Sequence, residues 1–265
     1  MAQYWRLHNP QQDAEFAAAV PNLDAALALE GQRVSGELDS SCRVDVLEFG
    51  GKRYFVKHYR ALKPSLRHIF DRSKVRTEWD NLLFFRRLQI PTPEPVAIGE
   101  RRINGVFRAG VLVTAAIPEA IDLAQLAESG NPCLHDRAWF GQLCDGLALP
   151  LRRLHDRGFA HNDLNWRNVL LTLAPALRVY FFDCPTGRRW IWPFRQFRIA
   201  KDLTHLDKMG RRHLRRSERL RFYLVYAGHA RLDRHDKQLL RKVLQRDVSP
   251  AYLPPQSTGD SEVLP

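Results

Sequence analysis

The sequence predicts an α+β fold of two lobes around a cleft, a small β-rich lobe followed by a larger helical one. Three observations carry this. Short apolar strand-like runs joined by Gly50-Gly51 fill the first half. Helical periodicity dominates the second half, as in Phe140, Leu143, Leu147, Leu151 and Leu154. Between them, a polar stretch, His161-Asn162-Asp163-Leu164-Asn165-Trp166-Arg167-Asn168, separates a helix from an apolar strand.

The elements follow in order. Residues 1–30 read as a polar, alanine-rich extension with some helical character. Val44, Val46 and Phe49 run into Gly50-Gly51, and Tyr54-Phe55-Val56 follows, which predicts a tight β-hairpin. A basic loop comes next, with Arg60, Lys63, Arg67, His68, Arg72 and Lys74. A helix is predicted over 77–88, ended by Pro91, Pro93 and Pro95. Val96-Ala97-Ile98 and Val111-Leu112-Val113 are strand candidates, and 114–118 reads as the linker between lobes. A buried helix over 138–156 carries Pro150, which should kink it. Val169-Leu170-Leu171 and Val179-Tyr180-Phe181-Phe182 are short strands. The rest, to about Arg246, is helical and very basic, and the proline-rich tail 249–265 is expected to be mobile. The expected boundaries are therefore an extension at 1–30, an N-lobe at 31–116, a C-lobe at 117–248 and a tail at 249–265.

Composition narrows the class. The chain has 265 residues, 45% hydrophobic and 26% charged, enough to bury a core and ordinary for a soluble globular protein. The net charge of +12 points to a polyanionic partner: nucleic acid, an anionic membrane surface or a phosphorylated glycan. Cys42, Cys133, Cys144 and Cys184 form no C-x-x-C pair and read as isolated thiols in a reducing compartment. No signal-peptide pattern opens the chain, and the longest apolar stretch, 109–118, is too short to span a bilayer. Together these features predict a cytoplasmic protein, with room for peripheral association at a membrane.

Four groups of residues point to phosphoryl transfer. Asp163 followed five residues later by Asn168 matches the H-x-D-x-x-x-x-N loop, with His161 as structural support. Such a loop needs one carboxylate to orient and deprotonate a hydroxyl, here Asp163, and oxygen ligands for Mg²⁺ on ATP. Asn168 supplies one such ligand and Asp183, at the end of a strand, the other. Lys57 in Phe55-Val56-Lys57 is the candidate for the α- and β-phosphates, and Glu78 on the next helix would hold it. Singly, each has a blander reading as a solvated or turn-forming residue. Their order on the expected elements is what decides. Gly36, Ser40 and Ser41 could offer backbone N–H groups to phosphate, although G-x-G-x-x-G is absent. Arg167 is either a charge neutraliser or a structural ion-pair partner.

These motifs resemble the lipopolysaccharide core kinases, the bacterial Kdo/heptose kinase family, which share the protein-kinase-like bilobal fold. The similarity runs from about Gly31 to Arg231. Besides the four groups it rests on Glu78-Trp79-Asp80-Asn81-Leu82, Ile90-Pro91-Thr92-Pro93, Ala97-Ile98-Gly99-Glu100, Ala200-Lys201-Asp202-Leu203, Arg219-Leu220-Arg221-Phe222 and Tyr226. The resemblance implies ATP-dependent phosphorylation of a lipopolysaccharide inner-core sugar at the inner membrane. It also implies that Asp202 braces the Asp163 loop from a helix beneath.

There are departures from protein kinases. Asn162 replaces the usual Arg, Cys184-Pro185 replaces Phe-Gly, and no A-P-E precedes Asp202, which argues against a phosphorylated, peptide-docking activation segment. The run Arg211, Arg212, Arg215 and Arg216 is expected either as a solvated face or as the contact with a lipid-linked glycan and anionic lipid. The loop around Arg60–Lys74 is the next place for an acceptor site. No nucleic-acid-binding module accompanies the charge. A small-molecule or protein kinase of the same fold, or a membrane-bound pseudokinase scaffold, are the competing readings. An aminoglycoside kinase would want an acidic acceptor cleft.

Overall fold

The structure, a computed structural model, describes residues 1–36, 40–61 and 72–245. Lys63, Arg67, His68 and the tail 249–265 lie outside the described residues.

The chain opens with β1 (Ala2–Leu7), α1 (Ala14–Ala19) and α2 (Leu23–Leu27). Then come β2 (Gln32–Ser35), β3 (Cys42–Phe49) and β4 (Lys52–Arg60). Next are α3 (Lys74–Arg87), β5 (Pro95–Ile103) and β6 (Val106–Ala115). The six strands form one antiparallel sheet in the order β1-β5-β6-β4-β3-β2. Gly50 and Gly51 both have positive φ, 58° and 70°, which closes the β3–β4 hairpin as the sequence predicts.

Alternation along the strands gives the sheet two apolar faces. On one, Tyr54, Val56, Val111 and Val113 pack with Phe16, Val20, Leu23 and Ala26 from the first thirty residues. On the other, Tyr59, Ile98 and Leu112 pack with Val75, Trp79 and Leu82 of α3. Residues 1–30 are thus joined to the sheet: β1 pairs with β5, from Ala2 opposite Arg102 to Leu7 opposite Ala97. α3 starts three residues before the helix expected at 77, because Ser73 caps it, its Oγ accepting from Arg76 N–H at 3.3 Å.

After β6 come β7 (Ile121–Asp122), α4 (Leu123–Glu128), α5 (Arg137–Asp156) and β8 (Phe159–Ala160). Then follow β9 (Val169–Thr172), β10 (Arg178–Phe181), β11 (Arg188–Arg189), α6 (Phe194–His213), α7 (Arg216–Ala227) and α8 (Arg234–Gln245). Helix α5 continues past Pro150 to Asp156, and its buried stripe, Phe140 to Leu154, is the spine of the second core. Strands β10-β9-β7 form a small sheet that presents the 161–168 loop and Asp183 at its edge. Thr92 Oγ1 donates to Phe181 O at 2.6 Å, and Phe181 N–H donates to Pro91 O at 2.9 Å. The segment after α3 is thereby tied to β10. Among the described residues, no helix is long and apolar enough to cross a membrane.

Candidate active site

Strand β4 and helix α3 bring Lys57 and Glu78 together. Lys57 points to the α3 face because it lies an odd number of residues from Tyr54 and Val56 on the pleat. Its Nζ lies 2.7 Å from Glu78 Oε1 and 2.7 Å from Asp183 Oδ1. Burial alone would lower its pKa, but Glu78 and Asp183 outweigh burial and hold the ammonium above its ordinary value. Glu78 is only 2% exposed, and its second oxygen accepts from Tyr59 O–H. Tyr59 was missed from the sequence. The signal was present, since Tyr59 is two residues after Lys57 on one strand and so shares its face.

Asp183 follows β10 with φ 54°, a left-handed turn that a short polar side chain tolerates. That turn aims its carboxylate at Lys57. The 161–168 loop is fixed from below: Asp202 on α6, fully buried, accepts from His161 N–H at 2.7 Å and Asn162 N–H at 2.8 Å. Asp202 also pairs with His155 Nε2 at 3.2 Å. Burial would raise the Asp202 carboxyl, but these bonds and the neighbouring histidines pull it below the usual range. His161 is pushed down by burial, against the pull of Asp202, Asp163 and Asp183, so it stays neutral near pH 7. Its Nε2 is 3.2 Å from Phe182 O, which joins the loop to the residue before Asp183.

Asp163 itself is exposed, while Asn168 is buried and donates from Nδ2 to Asp163 O at 2.7 Å. That bond orients the Asn168 amide and leaves its oxygen as an acceptor. Asn165, another residue the sequence reading passed over, donates from Nδ2 to Asp163 Oδ1 at 3.3 Å and caps Arg167 N–H at 2.9 Å. Arg167 is exposed, with no ion pair among the described residues. The oxygen donors here, two carboxylates and an amide, are the hard set that Mg²⁺ takes, and Lys57 supplies the positive charge a triphosphate needs. The residues present therefore fit Mg²⁺–ATP.

Gly36 and Ser40 flank the β2–β3 turn, whose middle residues lie outside the described ones. Ser40 Oγ donates to Cys42 O at 2.6 Å. Ser41 lines a separate cavity of about 1120 Å³, bounded by α3, the segment 185–190 and α6. Asn162 lines it too, but Lys57, Asp163, Asn168 and Asp183 do not. Arg211, Arg212, Arg215 and Arg216 sit at the junction of α6 and α7, outside that lining. All four are exposed, and Arg211 pairs with Asp207 at 2.7 Å.

Fold and site together define a protein-kinase-like bilobal α+β protein. The chain belongs to the lipopolysaccharide kinase (Kdo/WaaP) family, whose profile matches residues 32–226. It is 36% identical over 95 residues to a 3-deoxy-D-manno-octulosonic acid kinase of Actinobacillus succinogenes, 35% of each chain. It is 30% identical over 120 residues to a protein of the same name from Photobacterium profundum, 45% of each chain. The matches thus span well under two thirds of those relatives' lengths. Among solved structures, it is similar to one described as WaaP in complex with acyl carrier protein. There the TM-score is 0.66 and the identity 23%, over 91% of this chain and 96% of that one.

Proposed function

We propose that this chain is an ATP-dependent kinase that phosphorylates a Kdo or heptose sugar of the lipopolysaccharide inner core, working at the cytoplasmic face of the inner membrane. The observation that carries the reading is the joint contact of Lys57 with Glu78 and Asp183, beside the Asp163–Asn168 loop. The names of the two curated relatives favour Kdo over heptose.

In this reading Asp163 orients the sugar hydroxyl and accepts its proton as the oxygen bonds to the γ-phosphorus, the bond from that phosphorus to the β–γ bridging oxygen breaks, and ADP leaves with the electron pair. Asn168 and Asp183 would hold Mg²⁺, which would screen the phosphate charge. Lys57, kept cationic by its two carboxylates, would position the α- and β-phosphates, and Gly36, Ser40 and Ser41 are the candidates to offer them backbone N–H groups. Glu78 and Tyr59 fix the lysine, while His161 and Asp202 fix the loop. Asp202 spends both oxygens on loop N–H groups, so Asp163 is presented without reorganisation. The exposed arginines Arg212, Arg215 and Arg216 add long-range attraction to an anionic bilayer.

The test is transfer of labelled γ-phosphate to isolated inner-core oligosaccharide, with the product sugar identified by mass spectrometry. Phosphate on Kdo or heptose is the expected result. Label found only on protein, or ATP turnover indifferent to the oligosaccharide, would remove the sugar-kinase reading.

A further inference from the structure

The cavity of about 1120 Å³ beside the site is lined by eight Arg or Lys residues and by no Asp or Glu. Segment 188–201 supplies Arg188, Arg189, Arg198 and Lys201, and α3 with the residues before it supplies others, among them Lys74 and Arg87. Among the described residues, only Arg72 of the eight has a carboxylate partner, Asp80. So many like charges around one cavity repel each other, a cost that a bound anion removes.

The arrangement is built rather than loose. Trp190 is stacked by two guanidinium groups, Arg188 at 4.0 Å and Arg198 at 4.1 Å from the ring centre. Arg189 lies 5.2 Å over Phe84. Stacked on rings, these groups keep their N–H edges available for oxygen ligands. Asn162, 7% exposed, donates from Nδ2 to Thr186 O at 2.7 Å, and its Oδ1 has no partner. Asn162 immediately precedes Asp163, so the cavity reaches the loop where transfer would occur. At about 1120 Å³ the volume lies just above the roughly 300–1,000 Å³ of small-molecule sites and far exceeds one phosphate.

Next to Trp190 the surface turns apolar. Ile191 is 80% exposed, Trp192 76%, Phe194 60% and Phe197 55%, interleaved with Arg195 and Arg198. Large aromatic and aliphatic side chains at a cationic margin suit the headgroup region of an anionic bilayer.

We propose that this cavity is the acceptor site: it binds the phosphate and carboxylate groups of a membrane-anchored glycan, while residues 191–197 seat the chain on the anionic bilayer that carries it. The inference rests on the sugar-kinase reading for the reaction, but the binding claim stands on the cavity.

The test uses the full chain with one glycan in two forms: deacylated core oligosaccharide in solution, and the lipid-linked molecule in phosphatidylethanolamine–phosphatidylglycerol vesicles. Arg188→Gln/Arg198→Gln should raise the KM for both forms about tenfold and leave the KM for ATP within about twofold. Lys201→Gln should act in the same direction. Trp192→Ser/Phe194→Ser should raise KM only for the vesicle form and reduce co-sedimentation with vesicles. Arg241→Gln/Lys242→Gln, exposed on α8, should change none of these. Calorimetric binding of the deacylated oligosaccharide without ATP gives a readout independent of turnover. Wild-type transfer with unchanged KM in Arg188→Gln/Arg198→Gln overturns the cavity claim and leaves the kinase reading standing. Absent transfer, with oligosaccharide binding that this variant loses, overturns the kinase reading and leaves the cavity. Loss of vesicle binding alone, with soluble oligosaccharide bound normally, would make these arginines headgroup contacts and end the acceptor claim.

Discussion

Glu78 divides its two oxygens between Lys57 and Tyr59, and it is buried, so its loss leaves an ammonium and a hydroxyl short of a partner. Glu78→Gln should therefore lower kcat by about tenfold to a hundredfold through a misplaced Lys57, with a smaller change in melting temperature. Equal kcat in the variant would show that Asp183 alone positions the lysine. A second residue-scale outcome concerns pH. His58 lies in a buried cluster with Asp45 and Arg43, where burial, reinforced by the arginine, lowers its pKa to about 4. The unfolded chain binds a proton near the ordinary imidazole pKa, about 6.5, while the folded one does not. Stability contributed by the neutral imidazole is thus complete above that value and falls as pH drops toward 4. Denaturant midpoints for His58→Gln should lose part of this acid slope. An unchanged slope would assign it to other groups.

Helix α3 carries coupling between two parts of the molecule. Glu78 faces Lys57, and Asn81, one turn on, donates from Nδ2 to Cys184 O at 2.8 Å and Gly187 O at 2.9 Å. Gly187 is needed there because a Cβ would stand 2.2 Å from Cys184 Sγ. A shift of α3 must therefore move both the lysine's anchor and the segment leading to Arg188. Asn81→Ala should lower kcat several-fold and speed amide exchange across 184–190, while leaving β4 protected. Exchange confined to α3 would break the proposed link. At this scale the sequence was a partial guide. The β3–β4 hairpin and β10 were legible because glycines and apolar runs act locally. The anchoring by Asn81 was not legible, since it depends on backbone carbonyls more than one hundred residues away.

For the whole molecule, the order of Lys57, Glu78, Asp163, Asn168 and Asp183 along the chain was enough to name the fold, because it matches the expected succession of strand, helix, loop and strand end even where the stripe of the Glu78 helix is not clean. The contribution of residues 1–30 was not legible. β1 is a half-exposed edge strand without clean alternation, and α1 has only six residues. Yet Phe16 is fully buried against Tyr54 and Phe49. Phe16→Ala should cost about 3–5 kcal/mol of stability, read by denaturant unfolding. A cost under about 1 kcal/mol would mean that this face of the sheet repacks. The basic cavity was legible only as charge, for +12 says nothing of where the arginines gather. Their meeting depends on Trp190 and on the turn after Asp183.

The central claim is that the Asp163 loop performs phosphoryl transfer over a nucleotide held by Lys57, Asn168 and Asp183. Asp163→Asn tests it most directly, since Asp163 is exposed and the change preserves shape. Single-turnover transfer to core oligosaccharide should fall by about 10³-fold, while Mg²⁺–ATP affinity measured by titration calorimetry stays within a few-fold of wild type. A variant that keeps most of its transfer rate would contradict the account.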